Sequence, residues 1–374
     1  MKKLWIIFGV VIVVALAIGL VVTKTKKEPE VIQIGAILPM TGDAAKYGVW
    51  AKNGMEMAVD EINKAGGING KKLKLEIQDS KTSPTEAVNA MHFFLTASRP
   101  VAVFTTLTSV SKALIPITEN KEIILFANST LPGITEGGKY IFRNVSNLSG
   151  DVRVAAEYCI NKLGKKPIGI IWRNDDFGVW GSNKFKQLYQ NQGGKITGSE
   201  SFDPMTNDFR SHIAKLAKGK PEIVYVLAYS EAGLFIKQAR ESGYKWQFIG
   251  ITTLGDPEVS RIAGNALDGT IFTESAFDSN ADKELIRAYQ MKYQKRYGEK
   301  SEVWAATFYD AVKIFAFAAR KGGTDSGKLR EALINIKDYP GISGNTTFLP
   351  NGDVIKPVNL KTIKNGKPEP IEIK

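Results

Sequence analysis

The sequence predicts an α/β protein made of two doubly wound lobes behind one N-terminal apolar helix. Three observations predict it. A strand, loop, helix rhythm begins at residue 31 and repeats. The rhythm restarts near residues 143–149, after the first set of elements is complete. The chain has 374 residues, enough for two domains of ordinary size once the N-terminal segment is set aside. A hydrophobic fraction of 43% with 10% aromatic residues suits a packed body.

Met1-Lys2-Lys3 precedes an uninterrupted apolar run, residues 4–22, and Lys24, Lys26 and Lys27 follow it. At about 1.5 Å of helical rise per residue the run nearly spans the hydrocarbon core of a bilayer. Its A-x-A triplet, Ala15-Leu16-Ala17, lies inside the run, and no cysteine follows to accept a lipid. Residues 1–23 therefore read as an uncleaved signal anchor, with a cleaved signal peptide as the alternative. Residues 24–30, charged and containing Pro29, read as a tether.

In the body, residues 31–38 are an apolar, β-rich run closed by Pro39 and a Thr41-Gly42-Asp43 turn. Ala51, Met55, Ala58, Ile62 and Ala65 then recur at helical spacing until Gly66-Gly67. Residues 73–78 alternate as a half-exposed strand should. Ala87, Met91, Phe94 and Leu95 mark a helix, and residues 101–104 and 123–126 are buried strands with a helix between. After the restart come a helix through Cys159, a strand at 168–172, helices at 181–190 and 209–217, and a strand at 223–228. A helix at 232–241, strands at 248–251 and 270–273, and helices at 283–297 and 303–320 complete the pattern. The parallel sheets this implies place loops and helix N-termini at the carboxyl ends of the strands.

Composition excludes several functions. Lys and Arg number 50 against 38 acids, a net charge of +12. They are scattered through polar faces and not gathered on an Arg-rich helix, so no nucleic-acid partner is expected. The single cysteine, Cys159, shares an apolar stripe with Val152, Ala155, Ala156 and Leu163 and reads as a core residue. His92 and His212 stand on separate helices, so neither a metal nor a cofactor is expected. No phosphate-binding G-x-x-x-x-G-K-S/T loop, no G-x-S-x-G elbow and no histidine beside a nucleophile is present. The Gly66–Gly70 cluster follows a helix and precedes a strand, the wrong order for dinucleotide binding. An enzyme is not expected.

Two loops at strand ends can hold a small ligand. Thr105-Thr106-Leu107-Thr108-Ser109 follows one buried strand, and Ala127-Asn128-Ser129-Thr130 follows the next. Hydroxyls beside free backbone N–H groups at a helix start make a cradle for a carboxylate. Ser109 and Ser129 could equally cap helices or turns, and the two roles are compatible.

The opening IGAILPMTGDAAKYGVWAKNGMEMAVDEINKAGGINGKKLKLEIQDS, with PTEAVNA, IGIIWRNDDFGVWG, IKQARESGYKWQFIG and GNTTFLPNGD in order, resembles the leucine/isoleucine/valine-binding protein family of type I periplasmic binding proteins. The resemblance runs from residue 31 to the C-terminus. It implies two Rossmann-like lobes joined by three crossing strands, closing on a ligand by hinge motion. It also implies interleaving: lobe one from residues 31–143 plus 276–345, lobe two from 146–274 plus 347–374.

The same resemblance implies that Thr108, Ser109, Asn128, Ser129 and Thr130 hold a ligand carboxylate. It further implies that Tyr47 lines the cleft, with Trp50 one turn on. Phe177 stands where the family usually has a tyrosine, keeping the ring and losing the hydroxyl. Thr252 falls on or near the family's ammonium-binding glutamate and cannot supply its charge. Asp256, Glu231, Asp175 or Asp176 could substitute, and Tyr229 is one position from a tyrosine that some members place there. The function implied is the extracytoplasmic binding component of an ABC importer, working with permease and ATPase subunits and held at the membrane by its N-terminal helix. Its ligand would be an amino acid or another small carboxylate or amide. A membrane-tethered sensing ectodomain with a separate signalling partner is the competitor; with no second span in the sequence, transport is expected.

Overall fold

Helices on both faces of parallel sheets let the apolar runs form fully buried strands. The computed structural model describes residues 31–275, 277, 283–356 and 358–371. The expected anchor and tether fall outside these residues. No helix among the described residues is long and apolar enough to cross a membrane.

The first half of the body runs β1 (Ile32–Leu38), α1 (Ala45–Lys64), β2 (Leu73–Asp79), α2 (Pro84–Phe93), β3 (Ala102–Thr106), α3 (Thr108–Asn120), β4 (Ile124–Asn128) and β5 (Ile141–Phe142). These strands form one parallel sheet in the order β2-β1-β3-β4-β5. The second half runs α4 (Leu148–Asn161), β6 (Ile168–Arg173), α5 (Asp176–Asn191), β7 (Ile196–Phe202), α6 (Arg210–Lys218), β8 (Ile223–Leu227), α7 (Glu231–Glu241), β9 (Gln247–Gly250), α8 (Pro257–Ala263) and β10 (Ile271–Ser275). The chain then continues through α9 (Glu284–Tyr297), α10 (Val303–Gly322), α11 (Ser326–Ile334), β11 (Val358–Lys364) and β12 (Lys367–Pro370). The second sheet has the order β12-β11-β10-β9-β8-β6-β7, with β11 and β12 antiparallel at one edge.

The chain interleaves. Residues of β1 to β5 share one core with Phe277, Tyr289, α10, Leu329, Phe348 and Val354. Helix α10 lies against α1 so closely that a Cβ on Gly54 would come within 2.1 Å of the Ala305 carbonyl oxygen. Two further cores cover the faces of the second sheet. Phe348 and Val354 belong to the first core, so the last passage between lobes comes after Val354 and ends in β11. That is later than the boundary at 345–347 expected above, because Phe348 packs edge-on against Phe142 at 5.4 Å and keeps its segment on the first lobe.

Other boundaries moved for local reasons. The helix expected to begin at residue 181 begins at Asp176, where the Asp175 side chain accepts a hydrogen bond from the Gly178 N–H and caps it. Strand β2 does not alternate between buried and exposed positions, because α1 and α2 both pack on it. Strands β5, β7, β11 and β12 and helices α8 and α11 carry no strong apolar period and are absent from the expected pattern.

Candidate ligand-binding site

Strands β3 and β4 end side by side, with Thr106 paired to Asn128. The residues that follow, Leu107 and Thr108 on one strand and Ser129 and Thr130 on the other, line a cavity between the lobes. Leu107 has φ 68°, a left-handed backbone that its branched side chain disfavours by on the order of 1–3 kcal/mol. This bend ends β3 and starts α3 at the cavity edge. The Thr108 and Ser129 hydroxyl oxygens are 2.9 Å apart, and the Thr106 hydroxyl donates to the Asn128 carbonyl at 3.1 Å. The Asn144 N–H donates to Asn128 Oδ1 at 2.9 Å. That bond fixes the amide and leaves Asn128 Nδ2 buried without a protein partner.

The opposite wall comes from the carboxyl ends of β6, β8 and β9 and from the start of α4. It presents Phe177, Tyr229, Ile251, Thr252, Thr253, Leu148 and Asp151. Phe177 reaches the wall because Gly178 lets α5 press on β6: a Cβ there would lie 2.0 Å from the Arg173 carbonyl oxygen. The Phe177 ring stacks on Tyr229 at 5.3 Å, and Tyr47 meets Tyr229 and Trp304 edge-on, each at 5.6 Å. Like Asn128 Nδ2, Thr253 Oγ1 and Trp304 Nε1 are buried around this cavity without a protein partner, the first on the second lobe and the other on the first. Buried polar atoms normally have partners, so three in one cavity mark it as a place for a polar guest. The space reachable by the centre of a water molecule is about 40 Å³. Adding back a water radius gives an envelope of roughly 180 Å³, room for on the order of ten non-hydrogen atoms.

Besides the Tyr47–Tyr229 ring contact, polar contacts join the lobes around the cavity. The Tyr47 hydroxyl donates to Asp256 Oδ2 at 2.7 Å, Arg173 pairs with Asp43, and Lys112 lies 3.0 Å from Asp176 at the surface.

Of the residues singled out from the sequence, Tyr47, Thr108, Asn128, Ser129, Thr130, Phe177, Tyr229 and Thr252 meet around this cavity. Ser109 does not; it is half-buried in the first turn of α3, one residue beyond the lining. Asp256 does not line it either, since its carboxylate is turned to Tyr47 and to a second cavity shared with Glu274 and Glu302. Burial, and the Glu302 and Glu274 charges, hold the Asp256 carboxyl well above the usual range. Glu231 and Asp175 are bound to Arg173, and Asp176 lies at the surface against Lys112. None of the four expected substitutes reaches the cavity. Asp151, Trp304, Thr253 and Thr106 do, and sequence reasoning missed the first three altogether. An acid in the first turn of the helix after the restart is the one local feature of Asp151, and Glu157 shares that helix.

Glu302 caps α10, accepting the Ala305 N–H at 2.9 Å and the Trp304 N–H at 2.6 Å. Burial nevertheless pushes its carboxyl up to about 7. An acid harder to ionise folded than unfolded gives stability that is full below the unfolded value near 4.5 and declines as pH rises to about 7. The decline is about 3 kcal/mol at most. Urea unfolding at pH 5 and pH 8 should therefore show a smaller pH difference for Glu302→Gln than for wild type. Equal differences would rule out this source.

Residues 31–368 match the model of a protein family described as periplasmic binding protein. The chain is 30% identical to the leucine-, isoleucine-, valine-, threonine- and alanine-binding protein of Pseudomonas aeruginosa over 334 residues, 87% of each chain. Its structure superposes on a leucine-binding protein of Thermotoga maritima with a TM-score of 0.85 at 25% identity, covering 91% of this chain and 98% of the other. A branched-chain amino acid transporter substrate-binding protein of Streptococcus pneumoniae, solved with isoleucine, gives 0.84 at 28% identity with the same coverage.

Proposed function

The chain belongs to the periplasmic binding protein family, and we propose that it is the extracytoplasmic substrate-binding component of an ABC importer of the branched-chain amino acid type. Hinge closure captures a small carboxylate-bearing ligand between the lobes, and the closed form is presented to a permease with its ATPase subunits. The apolar run of residues 4–22 holds the body at the membrane surface. The observation that carries this reading is the set of buried, unpartnered polar atoms contributed by both lobes to one cavity: Asn128 Nδ2 and Trp304 Nε1 from the first, Thr253 Oγ1 from the second. A ligand bonded to all three satisfies them only when the lobes are closed, so binding and closure are one event. The similarity to amino-acid-binding relatives supports an amino acid as the guest. The hydroxyls of Thr108, Ser129 and Thr130, with Asn128 Nδ2 and the N-terminus of α3, suit its carboxylate.

A thermal-shift panel of amino acids, their 2-oxo analogues and small amides tests the clamp. At a hundredfold excess over Kd a ligand adds about 2.7 kcal/mol of stability, a shift of several degrees. No shift with any member would overturn the proposal. Thr253→Val gives a second readout with two opposite signs. Removing an orphaned hydroxyl should raise the stability of the ligand-free protein by about 1 kcal/mol, while weakening the ligand found in the panel about tenfold. Loss of stability together with unchanged affinity would remove Thr253 from the site.

A further inference from the structure

Asp151 supplies the one carboxylate among the described residues that line the ligand cavity, and no lysine, arginine or histidine lines it. It sits in the first turn of α4, on the lobe opposite the hydroxyl cradle. Asn147 starts that helix by accepting the Ser149 N–H. The Thr273 hydroxyl donates to Asp151 Oδ1 at 2.7 Å, which orients the carboxylate, and the residue is only 3% exposed. The Tyr225 hydroxyl, fully buried behind the cavity wall and without a protein partner, feels the Asp151 charge.

The cavity therefore has two ends of different chemistry. One end is neutral and rich in donors, the other carries a buried carboxylate with no cationic side chain in the wall to offset it. A ligand bearing only a carboxylate would bring a second negative charge into the same water-poor space, an arrangement that low dielectric penalises. A ligand with a carboxylate at one end and an ammonium at the other meets both walls. We propose that Asp151 receives the ammonium group of a zwitterionic amino acid and so sets the substrate class of this protein. The proposal rests on the reading of the cavity as the ligand site. Burial raises the Asp151 carboxyl to about 6, and the Thr273 hydrogen bond offsets part of that rise.

The experiment measures affinity by titration calorimetry on the full-length chain at pH 7.5. Its probes are L-leucine, L-isoleucine, L-valine and the three 2-oxo acids that share their carboxylate and side chain without the amine. Wild type should bind at least one amino acid at least a hundredfold more tightly than its 2-oxo partner. Asp151→Asn should weaken that amino acid by at least a hundredfold and leave the 2-oxo acid unchanged or tighter. Amino-acid affinity within tenfold of wild type in Asp151→Asn, or a wild-type 2-oxo acid as tight as its amino acid, would overturn the assignment while leaving the cavity as a carboxylate site. If none of the six probes binds wild type, the reading of the cavity fails and the assignment falls with it. Should Asp151→Asn not fold, Thr273→Val removes only the hydroxyl that orients the carboxylate. It should weaken the amino acid about tenfold and not the 2-oxo acid; an equal loss for both would count against Asp151.

Discussion

Replacing Arg173 with methionine should lower the stability of the protein by about 3–5 kcal/mol and open the cleft. The Arg173 side chain is 6% exposed and meets three carboxylates: Asp43 on the first lobe, and Asp175 and Glu231 on the second. Its guanidinium also lies 5.0 Å from the centre of the Tyr229 ring, a favourable cation–π placement. Methionine keeps much of the packing volume and leaves the three acids facing one another with no cation between them. Because Asp43 sits across the cleft, the repulsion acts against closure as well as against folding. Urea unfolding should register the stability loss, and X-ray scattering should register a larger radius of gyration. Asp43→Asn separates the two effects. It removes only the arm that crosses the cleft, so stability should change little while ligand affinity falls, since the closed form is then less populated. An Arg173→Met protein as stable and as compact as wild type would dismiss the bridge as an energetic element.

Arg143→Met should have an effect of similar size at the hinge. Arg143 is fully buried and forms a two-pronged pair with Asp353, its Nε donating to Oδ1 at 2.6 Å. Its third nitrogen donates to the carbonyls of Leu131 at 2.7 Å and Ser129 at 3.1 Å. One side chain thus ties together the exit from β5, the loop that carries Thr130 to the cavity, and the segment before the last passage between lobes. Removing it strands a buried carboxylate and two carbonyls, for which about 3–5 kcal/mol is expected. Ligand affinity should fall too, because the Ser129–Leu131 loop loses its anchor. The double variant Arg143→Met with Asp353→Leu should recover at least half of the stability, since the uncompensated charge is then gone. If the double variant is no more stable than the single, the loss comes from packing and not from the stranded acid.

The parts of the fold that were legible in the sequence are those whose burial is complete on both faces. Strands β1, β3, β4, β6 and β8 are short apolar runs because helices cover both sides of them. Strands β7 and β12, reading ITGSESF and KPEP, carry no such signature. They are edge strands paired with β6 and β11; β12 has no buried side chain, and β7 has only Phe202 fully in the core. The start of α5 differs from its expected place because one cap, Asp175, decides it.

The site divides along the same line. The hydroxyl loops 105–109 and 127–130 could be named in advance, because a strand followed by a helix fixes where its carboxyl end points. The resemblance of the chain to a known family added Tyr47, Phe177 and Tyr229. No local pattern could say which acid would face the ligand. Asp256 had the better position in sequence, in the loop beside Thr252, yet its carboxylate is taken by Tyr47 from the other lobe. Asp151 had no motif around it and enters the cavity because α4 begins at the hinge, with Thr273 of β10 behind it. The sequence by itself determined the two-lobed α/β architecture and the strand-end loops at the donor-rich end of the cavity, both set by periodicity and by strand-to-helix order. The tertiary structure alone decided the charged end, the latch at Arg173 and the late last passage between lobes. Each of these is a contact between segments more than fifty residues apart, and such contacts leave no period in the chain.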